Sequence, residues 1–418
     1  MRAAALPSCI AWVFGALLAA GCNTTSIRRV DMSPPEQAAT PPPESVLLDV
    51  GVAIFDPNVP ENYDEQIEEN VAPEVRRAEG NYVAYYLKNL LQTTGQWGAV
   101  RVVPRPTHAV DLVVSGKILH SDGESLALEA TVTDASDRVW FTRKYEGLAS
   151  RYAYDANVPR DFDPFQAVYR NIADDMLAYR RTLQESDIGR IRTVAEMQFA
   201  RDFAPDAFSG YVDKDRHGIE QIEKLPAVDD PMLKRVEKVR EREYLFIDTL
   251  DEYFAEFHRN MYTPYQDWRR STYDEAFALK QLKAEQHART AAGVAALAAG
   301  AAAGYEGYQN GNSGEQIAGV SGIVAGAALL KSAISKRGEA KLHSEVLQEL
   351  GQSAEGEISP HTIELENQTV QLSGTVDKQY DELRKILRRI YYEELGLAVP
   401  DEPTTTETPP APAPAADS

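Results

Sequence analysis

Only two cysteines occur in this 418-residue chain, and both lie at its amino end, at positions 9 and 22. The stretch from Cys9 to Ala20 is apolar, follows one early cation at Arg2, and closes on the small residues Ala19, Ala20 and Gly21. A basic start, a short apolar core and a small-residue end make a secretory signal, too short for an ordinary membrane span. Residues 1–21 are then removed, Cys9 goes with them, and Cys22 is left as the only thiol. No disulfide can brace the mature chain, so every domain behind Cys22 must stand on core packing. The same count excludes a thiol nucleophile and a cysteine-based metal site.

Length and a hydrophobic content of 43% allow two or three domains with real cores. The formal charge of −21 excludes nucleic acid, whose phosphates require a basic face. It also excludes adhesion to anionic lipid by electrostatics alone. An acidic surface of this kind reads as solubility in an extracytoplasmic space.

The segment Leu18-Ala19-Ala20-Gly21-Cys22 resembles a bacterial lipoprotein signal. That resemblance implies that Cys22 is acylated, palmitate-like chains included, and becomes the first residue of the mature protein. Each buried methylene of such a chain contributes about 0.8 kcal/mol, and two or more chains make attachment lasting. Asn23 stands where an aspartate would retain such a protein in the inner membrane, which implies the outer membrane, with the body facing the periplasm.

Behind the cysteine, residues 22–45 read as a tether, since Pro34, Pro35, Pro41, Pro42 and Pro43 offer nothing to bury and keep the chain extended. Residues 399–418 repeat that composition and read as a disordered tail. The fold class is α+β. From 46 to 185 the pattern is β-α-β-β-β-β-α: an apolar run from Val46 to Phe55, then a helix carrying Val83, Leu87 and Leu91. Strands follow over 100–103, 110–118, 126–132 and 139–145, with a closing helix over 164–183. Leu126, Leu128, Ala130 and Val132 alternate cleanly, so one face of that strand is buried. The order, with Val50-Gly51-Val52-Ala53-Ile54-Phe55, Gly95-Gln96-Trp97, Val110 to Gly116 and Val139-Trp140, resembles a small periplasmic domain. It is the one shared by TolB-type, CsgG-type and LpoB-type envelope proteins. The resemblance covers about a third of the chain.

Residues 186–290 read as helical, with Pro264 the main breaker after Met232 and aromatic residues at core spacing. Residues 291–334 depart from their surroundings. Gly293, Gly300 and Gly304 recur in an alanine-rich run, and Gly319, Gly322 and Gly326 recur in a second run after a polar break. Small residues at helical spacing let backbones approach closely, and the segment resembles the glycine-zipper hairpins of bacterial envelope proteins. Membrane insertion, zipper packing between copies and a tightly packed soluble hairpin all fit this pattern. Residues 335–398 read as a helix plus a small β-β-α unit. Its segment Val370 to Val376, entering a helix, is similar to part of a BON module.

Chemistry is sparse. Asp213-Lys214-Asp215-Arg216-His217-Gly218 begins like a calcium loop, but Lys224 stands where the bidentate glutamate belongs, so the segment reads as a solvated turn. The histidines at 108, 120, 217, 258, 287, 343 and 361 form no metal-ligand spacing, and no nucleophile elbow or phosphate loop occurs. Acid pairs such as Asp174-Asp175 and Asp229-Asp230 are ordinary in so acidic a chain. No catalytic residue, metal or cofactor is expected. The expectation is a non-enzymatic adapter of a cell-envelope assembly, held to membrane lipid through Cys22, with other envelope proteins or a second copy of itself as partners. A regulator of peptidoglycan synthesis, as the LpoB-type resemblance implies, and an unrecognised cell-wall or polysaccharide hydrolase are the alternatives.

Overall fold

The computed structural model describes residues 33–68, 71–154, 158, 163–307, 358–365 and 368–399. Cys22, Gly319, Gly322 and Gly326 lie outside them. The chain is α+β, with a five-stranded mixed sheet and helices packed around it. Its strands are β1 (Val50–Ala53), β2 (Val100–Val103), β3 (Leu112–Ser121), β4 (Ser125–Asp134) and β5 (Val139–Leu148), in the spatial order β2-β1-β3-β4-β5. β1 runs parallel to both neighbours, and all four of its residues are buried. A strand covered on both faces reads as a continuous apolar run, as this one does. β3, β4 and β5 form an antiparallel meander, and Leu126, Leu128, Ala130 and Val132 of β4 alternate into the core.

Helix α1 (Tyr63–Glu68) precedes the two that cover one sheet face, α2 (Pro73–Thr93) and α3 (Gln166–Arg180). Proline at the first turn starts α2, where its missing N–H has no partner to lose, and Gly95 at φ 63° ends it. Leu87 and Leu91 of α2 and Ile172 and Met176 of α3 are buried in the core. The extended apolar run from Val46 is shorter as a strand than its composition suggests. Glu44–Val46 make a 3₁₀ turn, and only Val50–Ala53 pair in the sheet.

The core does not stop at residue 185. Ile188, Ile191, Ala195 and Phe199 of α4 (Glu185–Phe203) belong to it, as do Val236, Ile247 and Phe254 of the long helix α6 (Pro231–Gly307). Tyr380, Leu383, Leu387 and Tyr391 of the last helix, α7 (Val376–Glu394), belong to it too. Between them lie the short α5 (Pro205–Phe208) and two small hairpins, β6 (Val212–Lys214) with β7 (Glu220–Ile222) and β8 (Ile358–Leu365) with β9 (Gln368–Gly374). The calcium-like segment is the β6–β7 turn. Asp215 Oδ1 accepts from the His217 and Ile219 backbone N–H groups, and Gly218 takes φ 79°.

Proline acts in two places, and at the second a sequence expectation needs correction. Pro264 does not end its helix: α6 runs through it for 77 residues in all. Interior proline removes one backbone bond and costs about 3 kcal/mol. Here Met261, Tyr265 and Trp268, all buried, hold the helix on both sides of it. The proline-rich stretch is not wholly a free tether. From Ser33 onward it lies on the body, where Arg181 holds Glu36 with two bonds of 2.9 and 2.5 Å. The Ala38 N–H donates to the Thr94 carbonyl at 2.8 Å, and Pro35 is buried.

Candidate functional site

The amino ends of the three parallel neighbours β2, β1 and β3 meet at a pair of aspartates. Asp49 directly precedes β1 and Asp111 directly precedes β3. The Asp49 N–H donates to Asp111 Oδ2 at 2.8 Å, and the Asp111 N–H donates to the Asp49 carbonyl at 3.0 Å. Asp49 Oδ1 also accepts from the Ala99 N–H at 2.8 Å, at the start of β2. Only glycine fits at 98, because a Cβ there would overlap Asp49 Oδ1. The carboxylates therefore add side-chain bonds to the backbone pairing at the starts of these three strands.

Around this stitch opens a cleft of about 690 Å³. One wall is α4, whose Arg192 and Glu196 stand one turn apart; a second is α6, with Arg240 and Tyr244 at the same spacing. The third is the strap that carries Glu44 and Leu47. Arg192 Nη1 donates to the Glu44 carbonyl at 3.2 Å, which ties strap to helix. Arg240 gives two N–H groups to the Ala109 carbonyl, at 3.0 and 2.8 Å, and the Tyr244 hydroxyl donates to the same oxygen. The Arg101 guanidinium lies 4.5 Å from the Tyr244 ring centre and pairs with Asp248 at 2.6 Å.

Burial raises the Asp111 carboxyl to about 6, against the bond from the Asp49 N–H and the nearby Arg240 charge. Burial also raises Glu196, with the Glu237 carboxyl beside it adding to the effect. Two carboxyls that resist ionisation in one cleft mark a candidate binding site. Such a lining suits a charged, hydrogen-bonding ligand; it offers little apolar surface.

A second polar cluster docks α7 onto the body. Fully buried Glu243 accepts from the Tyr380 hydroxyl at 2.5 Å and faces Arg384 at 3.7 Å. Arg384 also reaches Asp202 at 3.5 Å, which pairs with His108 at 3.0 Å. Burial raises the Glu243 carboxyl, and Arg384 opposes the rise. This cluster fastens a helix, and the tighter grip of its groups on one another leaves the first cleft as the candidate site.

None of the residues named from the sequence for lipidation or for membrane and oligomer packing lines that cleft. Gly293, Gly300 and Gly304 fall in the last part of α6. Asp49 and Asp111 sit inside the first-strand and third-strand runs read from the sequence, but they, Arg192, Glu196, Arg240 and Tyr244 become site residues only in the fold. One signal does exist: Leu48-Asp49-Val50 and Val110-Asp111-Leu112 each place an acid inside an apolar run. Among the described residues no group of three or more His, Cys, Asp or Glu could hold a metal ion. None of their helices is long and apolar enough to cross a membrane. No protein-family model, curated protein or solved structure matches the chain.

Proposed function

We propose that this chain is an outer-membrane lipoprotein, anchored through an acylated Cys22, that serves as a non-enzymatic adapter in a cell-envelope assembly. The observation that carries the reading is helix α6. Its 77 residues make a rod of roughly 115 Å at about 1.5 Å per residue. A globule of this chain's folded residues is only about 50 Å across. Tyr273 of this helix is still in the core, and α6 continues for roughly 50 Å beyond it, into the Gly/Ala-rich run. A rigid body with so long an arm suits contact between components held apart. The mixed sheet, with its β-α-β start and three-strand meander, supports reading residues 46–185 as a periplasmic domain of the TolB, CsgG and LpoB type.

Two measurements test the two halves of the proposal. A clickable palmitate analogue fed to cells should label the intact protein and leave Cys22→Ala unlabelled; an unlabelled wild type removes the anchor. Photo-crosslinkers placed along 291–307 should trap other envelope proteins or a second copy. A chain that gives no crosslinks and sizes as a monomer after detergent extraction removes the adapter. Asp111 favours a second reading, a hydrolase, because a carboxyl near 6 beside Asp49 has the makings of an acid and its partner. Turnover of peptidoglycan or polysaccharide by the mature chain, lost in Asp111→Asn, would bring that reading forward.

A further inference from the structure

The five-stranded sheet ends differently on its two sides. β2 lies against α6, whereas among the described residues no strand pairs with β5 beyond β4. The Ala149 N–H donates to the Glu124 carbonyl at 2.8 Å, which sets the phase of the ladder behind it. From Leu148 back to Phe141 the register with β4 is unbroken. Backbone groups of successive residues in an antiparallel strand point to alternate sides. Those of Phe141, Arg143, Tyr145 and Gly147 therefore serve β4. Those of Thr142, Lys144, Glu146 and Leu148 point away from it, and these four residues are all exposed. Such a row of outward donors and acceptors is a template for another strand.

We infer that β5 pairs with β5 of a second copy, antiparallel about a two-fold axis at Tyr145, and joins the two sheets into one. The charges select both this occupant and this register. With Tyr145 opposite itself, Lys144 of each copy faces Glu146 of the other, and Thr142 faces Leu148. Lys144 and Glu146 share the sheet face away from the core, beside Glu129 and Ala127 of β4. Opposite charges across two strands favour pairing, and like charges oppose it. Sliding by two residues either way sets Lys144 against Lys144 or Glu146 against Glu146. An edge lysine repels most strands, but here the glutamate two positions on complements it, as a two-fold contact requires. The axis is perpendicular to the sheet, so α3 of both copies lies on one side. The strap lies on α3, where the Glu36 N–H donates to Asp174 Oδ1 at 3.3 Å. For the anchored chain proposed above, two acylated Cys22 residues then face one membrane.

Sedimentation velocity of the full mature chain carrying Cys22→Ala, over a range of concentrations, reads the contact without lipid. A dimer that dissociates on dilution is expected. Lys144→Glu and Glu146→Lys each break two charge pairs and set two like pairs opposite, so each should weaken the dimer by about tenfold or more. The double variant Lys144→Glu/Glu146→Lys restores the pairs with their signs exchanged and should dimerise like wild type. Both side chains are exposed, so thermal melts of the three variants at a concentration where all are monomeric should coincide. A monomer at every concentration, a dimer untouched by the single changes, or a double variant as weak as the singles overturns the inference. None of these outcomes bears on acylation of Cys22 or on crosslinks from 291–307.

Discussion

At the scale of single residues, Asp111 costs the fold stability at neutral pH. Its folded carboxyl titrates near 6 against an ordinary 3.8, because burial penalises the ion. A raised carboxyl stabilises the fold while protonated, so its contribution is complete below pH 4 and is lost as pH climbs through 6. Two units correspond to about 3 kcal/mol at neutral pH. Asp111→Asn keeps an oxygen for the Asp49 N–H and removes the buried ion. The variant is therefore expected to unfold at higher urea than wild type at pH 7, by up to roughly 3 kcal/mol, and to match it at pH 4. Equal midpoints at both values would mean that Asp111 carries no such strain. This residue was half legible in the sequence: an acid in an apolar run is visible, but its partners are not. The pair Arg269–Asp163 was wholly illegible. Both side chains are 0% exposed and 2.9 Å apart, yet 106 positions separate them along the chain.

Elements were more legible than their contacts, since periodicity reports burial and not the neighbour that provides it. β4 declared itself through Leu126 to Val132, and α7 through Tyr380, Leu383 and Leu387. What composition could not report is where α6 lies. It crosses the β3–β4 turn so closely that a Cβ at Gly123 would overlap the Arg269 carbonyl and crowd the Tyr273 amide. Gly123 was legible as a turn residue, but its second duty, admitting a helix backbone, depends on a segment almost 150 residues away. The proline strap misled for a similar reason. Proline dictates extension, and an extended chain can lie on helices once Glu36 finds Arg181. Two glycine substitutions separate the roles. Gly123→Ala should cost about 1–3 kcal/mol by pushing α6 off the turn. Gly189→Ala, in the open α4 face, should stabilise by up to about 1 kcal/mol through helix propensity. Thermal melts of the two proteins shifting in the same direction would contradict this contact.

For the whole molecule, the decisive fact is that two helices far apart along the chain share one core. α6 is in the core up to Tyr273, and the chain returns as α7, whose Tyr380 meets Phe246 and Glu243 of that same helix. Residues 275–357 are flanked by two helices that are fastened in the body, and the buried Glu243–Tyr380–Arg384 cluster joins those helices. The other reach is short: from Cys22 to Glu36 the chain spans at most roughly 50 Å, so an acylated Cys22 would keep the body near its membrane. Arm and body should then separate by function. Replacing 275–357 with a Gly/Ser linker of about 40 residues, with a root-mean-square span of roughly 35 Å, leaves both fastenings in place. The body is expected to melt cooperatively within about 2 °C of the full chain, because every core residue among the described ones is kept. Crosslinking to envelope partners should disappear in the same protein. A shortened chain that melts far lower would show that the arm supports the fold, and one that still crosslinks to those partners would move the adapter surface onto the body.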